Sequence, residues 1–403
     1  MHPSARLALL LMAAVGAAGL VGGSASEAAR PTNGCPLPCS GQSVSPFDRK
    51  LLFVQPGGPR GPVQAYDTST GRRRFALPAG LASADGRWFY AAAARAGATR
   101  VRRFDIPSGR RVHAFSLRGR WSLAGVSPSG RWLALSRQGG QPVRTTVAVV
   151  DAVNGRPAHR LTLSGDFEVE TVSADGKRLF LVEHLRSAGS PRYLVRLFDL
   201  SRERLRVRPL RAAGDDRVMA GYAWSGIASP DGRWLLTLYL NTLRSSAFVH
   251  ALDLNRSSPL CIDLPSGRGA LAELKRYALV LSPDGQTLYA ANAALGAVAE
   301  IDLRTRRVVR TGRFSPAGVQ SAPRPSTLGG TISRNGRTLY FSGGRDLWAY
   351  DTQAGRVRGP YASGGALVGF GFGNRDLRVH ALRADGRMVA FDAATGRRLG
   401  AES

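Results

Sequence analysis

An all-β ring of eight four-stranded units is the architecture this sequence predicts, and three observations predict it. The first is a recurring turn between two apolar runs. It reads SADGRWFY at Ser83, SPSGRWLAL at Ser127, SADGKRLFLV at Ser173, SPDGRWLLTLYL at Ser229, SPDGQTLYAAN at Ser282 and SRNGRTLYFS at Ser333, with SPFDRKLLFV at Ser45 a weaker copy. The second is an apolar residue followed by Asp, at Asp67, Asp105, Asp151, Asp199, Asp253, Asp302, Asp351 and Asp392, spaced by 38, 46, 48, 54, 49, 49 and 41 residues. The third is the continuation D-x-x-x-G-R at Asp67, Asp105, Asp151, Asp351 and Asp392, which marks a second hairpin turn.

Each element follows from local chemistry. Runs of about five residues rich in β-branched and aromatic side chains, bounded by turn residues, read as strands. In the turns Pro presets φ, Asp accepts nearby backbone N–H groups, and Gly accepts φ > 0. Tyr277–Arg310 shows one whole unit, ALVLS, TLYAAN, AVAEID and RVVR, here strands a, b, c and d. A four-stranded unit repeating at about 40–50 residues means a β-propeller, whose sheets pack face to face until the ring closes.

The composite pattern, S-P-D-G-[KR]-x-L-[YF]-V-[AT] followed by V-x-x-[IV]-D-x-x-[TS]-G-[KR], resembles the YVTN-type repeats of bacterial surface and secreted propellers. It is also similar to the broader WD-like repeats, although their Gly-His and Trp-Asp pairs are absent. The resemblance covers nearly everything from Ser45 onward. It implies a single propeller domain over 45–403, and a binding scaffold or interaction platform more readily than one particular activity.

The units run at about 45–78, 79–118, 119–164, 165–212, 217–265, 271–314, 324–362 and 364–403. In the last, GFGFGNRD replaces the first turn, and Ala384-Asp385-Gly386-Arg387 falls between strands b and c. A register that merged units would leave seven blades; aligning on the Asp of strand c gives eight. No amphipathic helix is evident.

Residues 1–26 read as a secretory signal. Arg6 supplies the positive region, Leu7–Val21 is an apolar run of 15 residues, and small residues precede Glu27. That run is short for a membrane span, which takes about 20 apolar residues. The expected location is therefore secreted or cell-envelope, with an uncleaved anchor as the alternative and no transmembrane span in the mature chain. Residues 27–44 form a Pro/Gly/Ser linker carrying Cys35 and Cys39, which could pair in an oxidising compartment. Cys261, in strand d of the fifth unit, reads as a buried thiol, or as the end of a bridge back to the linker.

The net charge is +28, and 53 of the 56 basic residues are Arg. Such a surface attracts anions in a salt-sensitive way. An anionic envelope polymer is a possible partner. The arginines also fit the codon bias of a GC-rich genome, which favours Arg over Lys, and no motif points to specific nucleic-acid recognition.

No catalytic residues are identified. G-x-S-x-G, P-loop, H-E-x-x-H and a strand-to-helix G-x-G-x-x-G are all absent, and no cofactor or metal set is read from the chain. The Asp residues of the turns are cappers. Glu183 and His184 adjoin on a strand and so face opposite ways. One constellation stands apart. Counting five and seven residues back from the first-turn Ser marks one face of strand a, which lines the channel. It yields Glu168 and Asp166, Trp224 and Tyr222, and Tyr277 and Lys275 on three consecutive units, with Glu170 continuing inward. Convergent polar and aromatic groups at a concave mouth suit a small polar ligand or a protein partner. A Lys275–Glu168 ion pair is the plainer structural role. The expected function is a non-catalytic binding or protein-interaction scaffold. Two alternatives are a lactonase-like propeller hydrolase with a channel metal on Asp166, Glu168 and Glu170, and an Arg-rich polyanion binder.

Overall fold

The computed structural model describes residues 50–55, 61–140, 142–185, 191–211, 218–264, 269–316, 329–373 and 375–400. The protein is an eight-bladed β-propeller of antiparallel sheets, each laid down in chain order. Blade 2, for example, takes Leu81–Ala82, Trp88–Arg95, Ala98–Asp105 and Arg111–Arg118 as strands a to d. Strands a touch between blades 2 and 3, 3 and 4, 5 and 6, 6 and 7, and 7 and 8, and so line the axis. In blade 1 the described strands are b to d, and the place of strand a falls outside the described residues. In blade 8 strand d shrinks to a bridge between Phe391 and Arg398. The signal and linker assigned to 1–44, with Cys35 and Cys39, lie outside the described residues.

Both faces of the inner strands are apolar, so each blade buries one face on each neighbour. Strand b of blade 5, Trp234–Asn241, is buried throughout. The core is accordingly eight clusters, one at each blade interface. The cluster that closes the ring joins Leu52 and Val54 of blade 1 to Leu382 of blade 8. Polar clasps cross these interfaces as well. Tyr90 donates to the Gly130 carbonyl (2.5 Å) and Tyr340 to that of Ala393 (3.0 Å). Glu300 of blade 6 accepts from Tyr350 of blade 7 and pairs with Arg310, both at 2.6 Å.

The turns are built as their residue types require. Asp231 Oδ1 accepts from Ser229 Oγ (2.5 Å) and Arg233 N–H (3.0 Å), and Ser229 Oγ accepts from Trp234 N–H (2.8 Å). The same geometry recurs at Ser83, Ser173 and Ser282. Each Asp closing strand c accepts backbone N–H groups of its own turn, as Asp302 does from Arg304 and Thr305 (2.7 and 2.8 Å).

The fourth residue after that Asp is left-handed in every blade. It is Gly71, Gly109, Gly155, Gly355 and Gly396 where the motif is complete, and Glu203 (φ 49°), Ser257 (φ 52°) and Arg306 (φ 59°) where it is not. In blade 8 the first turn survives without its sequence. Gly373 stands where Ser stands elsewhere, and Asp376 (φ 55°) takes the left-handed place, with its N–H on the Gly373 carbonyl.

Two local features depart from expectation. Leu271–Leu274 forms one helical turn ahead of blade 6. Strands a of blades 3, 4, 5 and 8 each carry a bulge, which skips Ala124, Glu170, Trp224 and Val368 in the pairing. A bulge inserts one residue and reverses the facing of everything beyond it.

Candidate binding site at the channel mouth

Strand a of blade 4, Asp166–Val172, starts at the end of the ring where strands d lead into strands a. Asp166 Oδ1 accepts from Gln138 Nε2 of blade 3 at 2.5 Å. Glu168 Oε2 lies 3.1 Å from His184 Nε2, on strand b of the same blade, with both side chains partly exposed. Glu183 points the other way and pairs with Arg196. Neither Asp166 nor Glu168 has an arginine partner among the described residues.

Glu170 does not continue this face. It occupies the bulge, is 2% exposed, and lies close enough to Tyr193 and Tyr239 for its charge to help raise their phenol pKa values, after burial as the main cause. It has therefore turned into the interface between blades 4 and 5. The three carboxylates do not form a metal-holding group, nor does any other set of three His, Cys, Asp or Glu among the described residues.

The aromatic and basic members gather separately, against the cluster between blades 5 and 6. Trp224 sits at its own bulge, half-buried, and its Nε1 donates to the Lys275 carbonyl at 2.9 Å. The Lys275 ammonium lies 4.6 Å from the Trp224 ring centre. The pair expected between Lys275 and Glu168 does not form, because each side chain is engaged elsewhere. Tyr222 is half-buried beside Trp224, and burial raises its phenol pKa. Tyr277 is 3% exposed and belongs to the core, with its phenol pKa pushed up by burial. Lys275 and Tyr277 precede strand a of blade 6, which begins at Ala278, because the helical turn takes up that stretch.

His184 joins this site only through the bulge. Near the turn Val172 pairs with Leu179, and that register would set His184 opposite Phe167 on the far face. Skipping Glu170 moves His184 opposite Asp166 instead. Regular strand counting offers no signal for that shift.

Cys261 is half-buried rather than buried, and packs on the cluster between blades 4 and 5. It faces His250, which is 2% exposed between Tyr193 and Tyr239. Burial lowers the His250 pKa to about 4.

No protein-family model and no curated protein matches the chain. Among solved structures it is similar to Kuenenia stuttgartiensis hydrazine synthase, at 13% identity and a TM-score of 0.41, over 90% of this chain and 97% of that one. It is also similar to dihydro-heme d1 dehydrogenase NirN in complex with DHE, at 18% identity and a TM-score of 0.48, over 89% of this chain and 73% of that one. Likeness at this level goes no further than the overall fold.

Proposed function

We propose that the chain is a secreted or cell-envelope propeller, built on YVTN-like repeats, that acts as a non-catalytic binding scaffold and takes a cationic group of a peptide or small polar ligand at its channel mouth. One observation carries the reading. In a chain of net charge +28, Asp166 and Glu168 cap no turn and have no arginine partner among the described residues. Their visible partners are a neutral amide and an imidazole. Two carboxylates whose visible partners are not guanidiniums keep acceptor oxygens free to take a charge-assisted hydrogen bond, which suits an amine or guanidinium. Export rests on the Arg6 and Leu7–Val21 pattern. Among the described residues no helix is long and apolar enough to cross a membrane.

The test is an array of short peptides of graded charge, probed with the full chain and with an Asp166→Asn/Glu168→Gln variant. Retention of cationic peptides by the native chain, reduced roughly tenfold in the variant, supports the reading, since a charge-assisted contact is worth about 1.5–3 kcal/mol. Equal retention by both proteins, or no preference for cationic peptides, overturns it.

A further inference from the structure

The positive charge is unevenly placed. Residues 79–164, blades 2 and 3, carry fourteen arginines, no lysine and three aspartates, a net +11. All three aspartates are held by their own turns: Asp85 by Ser83 and Arg87, Asp105 by Ser108, and Asp151 by Val153. Of the fourteen arginines, Arg131 alone has a carboxylate partner among the described residues, Asp151 at 3.4 Å.

The register of blade 3 brings three of these arginines to one wall. Ala148 faces Leu135 and Arg160, Thr146 faces Arg137 and Thr162, and Arg144 faces Gly139 and Ser164. Residues directly opposite, and residues two apart on a strand, share a face. Arg137, Arg144 and Arg160 therefore all project on the side of Leu135 and Ala148, which is the side packed on blade 2. All three are exposed.

Two of them bracket a single indole. The guanidinium carbons of Arg137 and Arg160 lie 4.8 and 5.3 Å from the Trp121 ring centre. Trp121 itself is fixed. Its backbone N–H donates to Thr99 Oγ1 (2.8 Å), Thr99 Oγ1 donates to the Gly119 carbonyl (2.9 Å), and the indole Nε1 donates to the Arg118 carbonyl (2.8 Å). Blade 4 repeats this framework with Phe167, Thr145 and Gly165. The framework is thus a structural device of the fold, and the arginine bracket is an addition to it.

An indole attracts each guanidinium by about 0.5–1 kcal/mol at an exposed site. It also holds two like charges near each other, and neither has a carboxylate partner among the described residues. Their planar N–H forks are pre-set for the oxygens of a phosphate-type anion. We propose that the surface at this end of blades 2 and 3, formed by Arg137, Arg144 and Arg160, binds a flexible phosphate-bearing polyanion. Trp121 is 6% exposed, so it offers no open face on which a nucleobase could stack. The ligand chemistry is therefore a chain of phosphate groups without bases, either inorganic polyphosphate or a phosphodiester polymer of the envelope. The carboxylate site of blade 4 opens at the same end of the ring, because Gln138 of this wall's strand b bonds Asp166.

The experiment uses the full chain and fluorescently labelled inorganic polyphosphate, with affinity measured across a salt series. An Arg137→Ala/Arg160→Ala variant is expected to bind roughly tenfold more weakly, with the slope of log K against log salt reduced by about one to two, as the loss of two phosphate contacts requires. An Arg304→Ala/Arg307→Ala variant removes the same charge from blade 6 and is expected to bind within about twofold of the native chain. Equal weakening in both variants would show diffuse attraction and overturn the site. Tighter binding of an oligothymidylate with the same number of phosphates would overturn the choice of a ligand without bases. Competition by a glycerol-phosphate polymer at lower concentration than polyphosphate would keep the site and assign it to the envelope source.

Discussion

His184 Nε2 stands 3.1 Å from Glu168 Oε2 across strands a and b of blade 4. The bulge at Glu170 makes the contact possible by shifting the pairing one residue. It joins an imidazole to the face that carries Asp166 and Glu168, so the pair is the natural place to probe that site.

Glu168→Gln and His184→Gln, singly and together, should give a coupling energy of about 0.5–1.5 kcal/mol in urea unfolding, the usual worth of one hydrogen bond. Strictly additive single effects would mean that the contact contributes nothing in solution.

Asp231→Ala and Asp284→Ala should each lower stability by about 0.5–2 kcal/mol, since each removes a cap that accepts both a Ser hydroxyl and a backbone N–H. Denaturant midpoints would report the loss. Unchanged midpoints in both variants would contradict the capping role.

The left-handed positions allow a test in both directions. Glu203→Gly, Ser257→Gly and Arg306→Gly relieve a backbone conformation that costs a side chain roughly 1–2 kcal/mol, offset by the greater chain entropy of Gly. Each should be neutral to stabilising, by up to about 1 kcal/mol. Gly285→Ala should destabilise by about 1 kcal/mol through φ alone, because a Cβ there would meet nothing within 4 Å. Calorimetric melting of the four variants separates these signs.

His250 predicts an acid-sensitive ring. Its folded pKa of about 4 lies below the ordinary value of 6.5, so the unfolded chain binds its proton first. Stability from this group is complete above about pH 6.5 and declines as the pH falls toward 4, by about 3 kcal/mol in total. The titratable groups in contact with it include Tyr193, Tyr239 and Cys261, none of which carries positive charge. His250→Phe should flatten the dependence of unfolding free energy on pH between 6.5 and 4. An unaltered slope would locate the acid sensitivity elsewhere.

The sequence by itself determined the strands, the turns and the count of blades. Ser, Asp and Gly act within a few residues of one another, and the Asp closing strand c recurs at Asp67 through Asp392 even where the neighbouring Gly is lost. Glu203, Ser257 and Arg306 show why that Asp was the better marker: packing holds the turn left-handed without the residue that prefers it. The tertiary structure alone decided which side chains meet. A bulge is one extra residue with no chemical signature, yet at Glu170 it turned a carboxylate into a blade interface and brought His184 onto the face of Asp166 and Glu168. At Trp224 and Lys275 the same kind of local shift, with one unforeseen helical turn, set the aromatic half of the mouth against blades 5 and 6 and buried Tyr277. Arginines that look scattered along residues 79–164 became a wall because strands b, c and d of blade 3 lie side by side. Facing and adjacency depend on pairing register between strands, and register is set by the packing of whole sheets, which no short stretch of chain encodes.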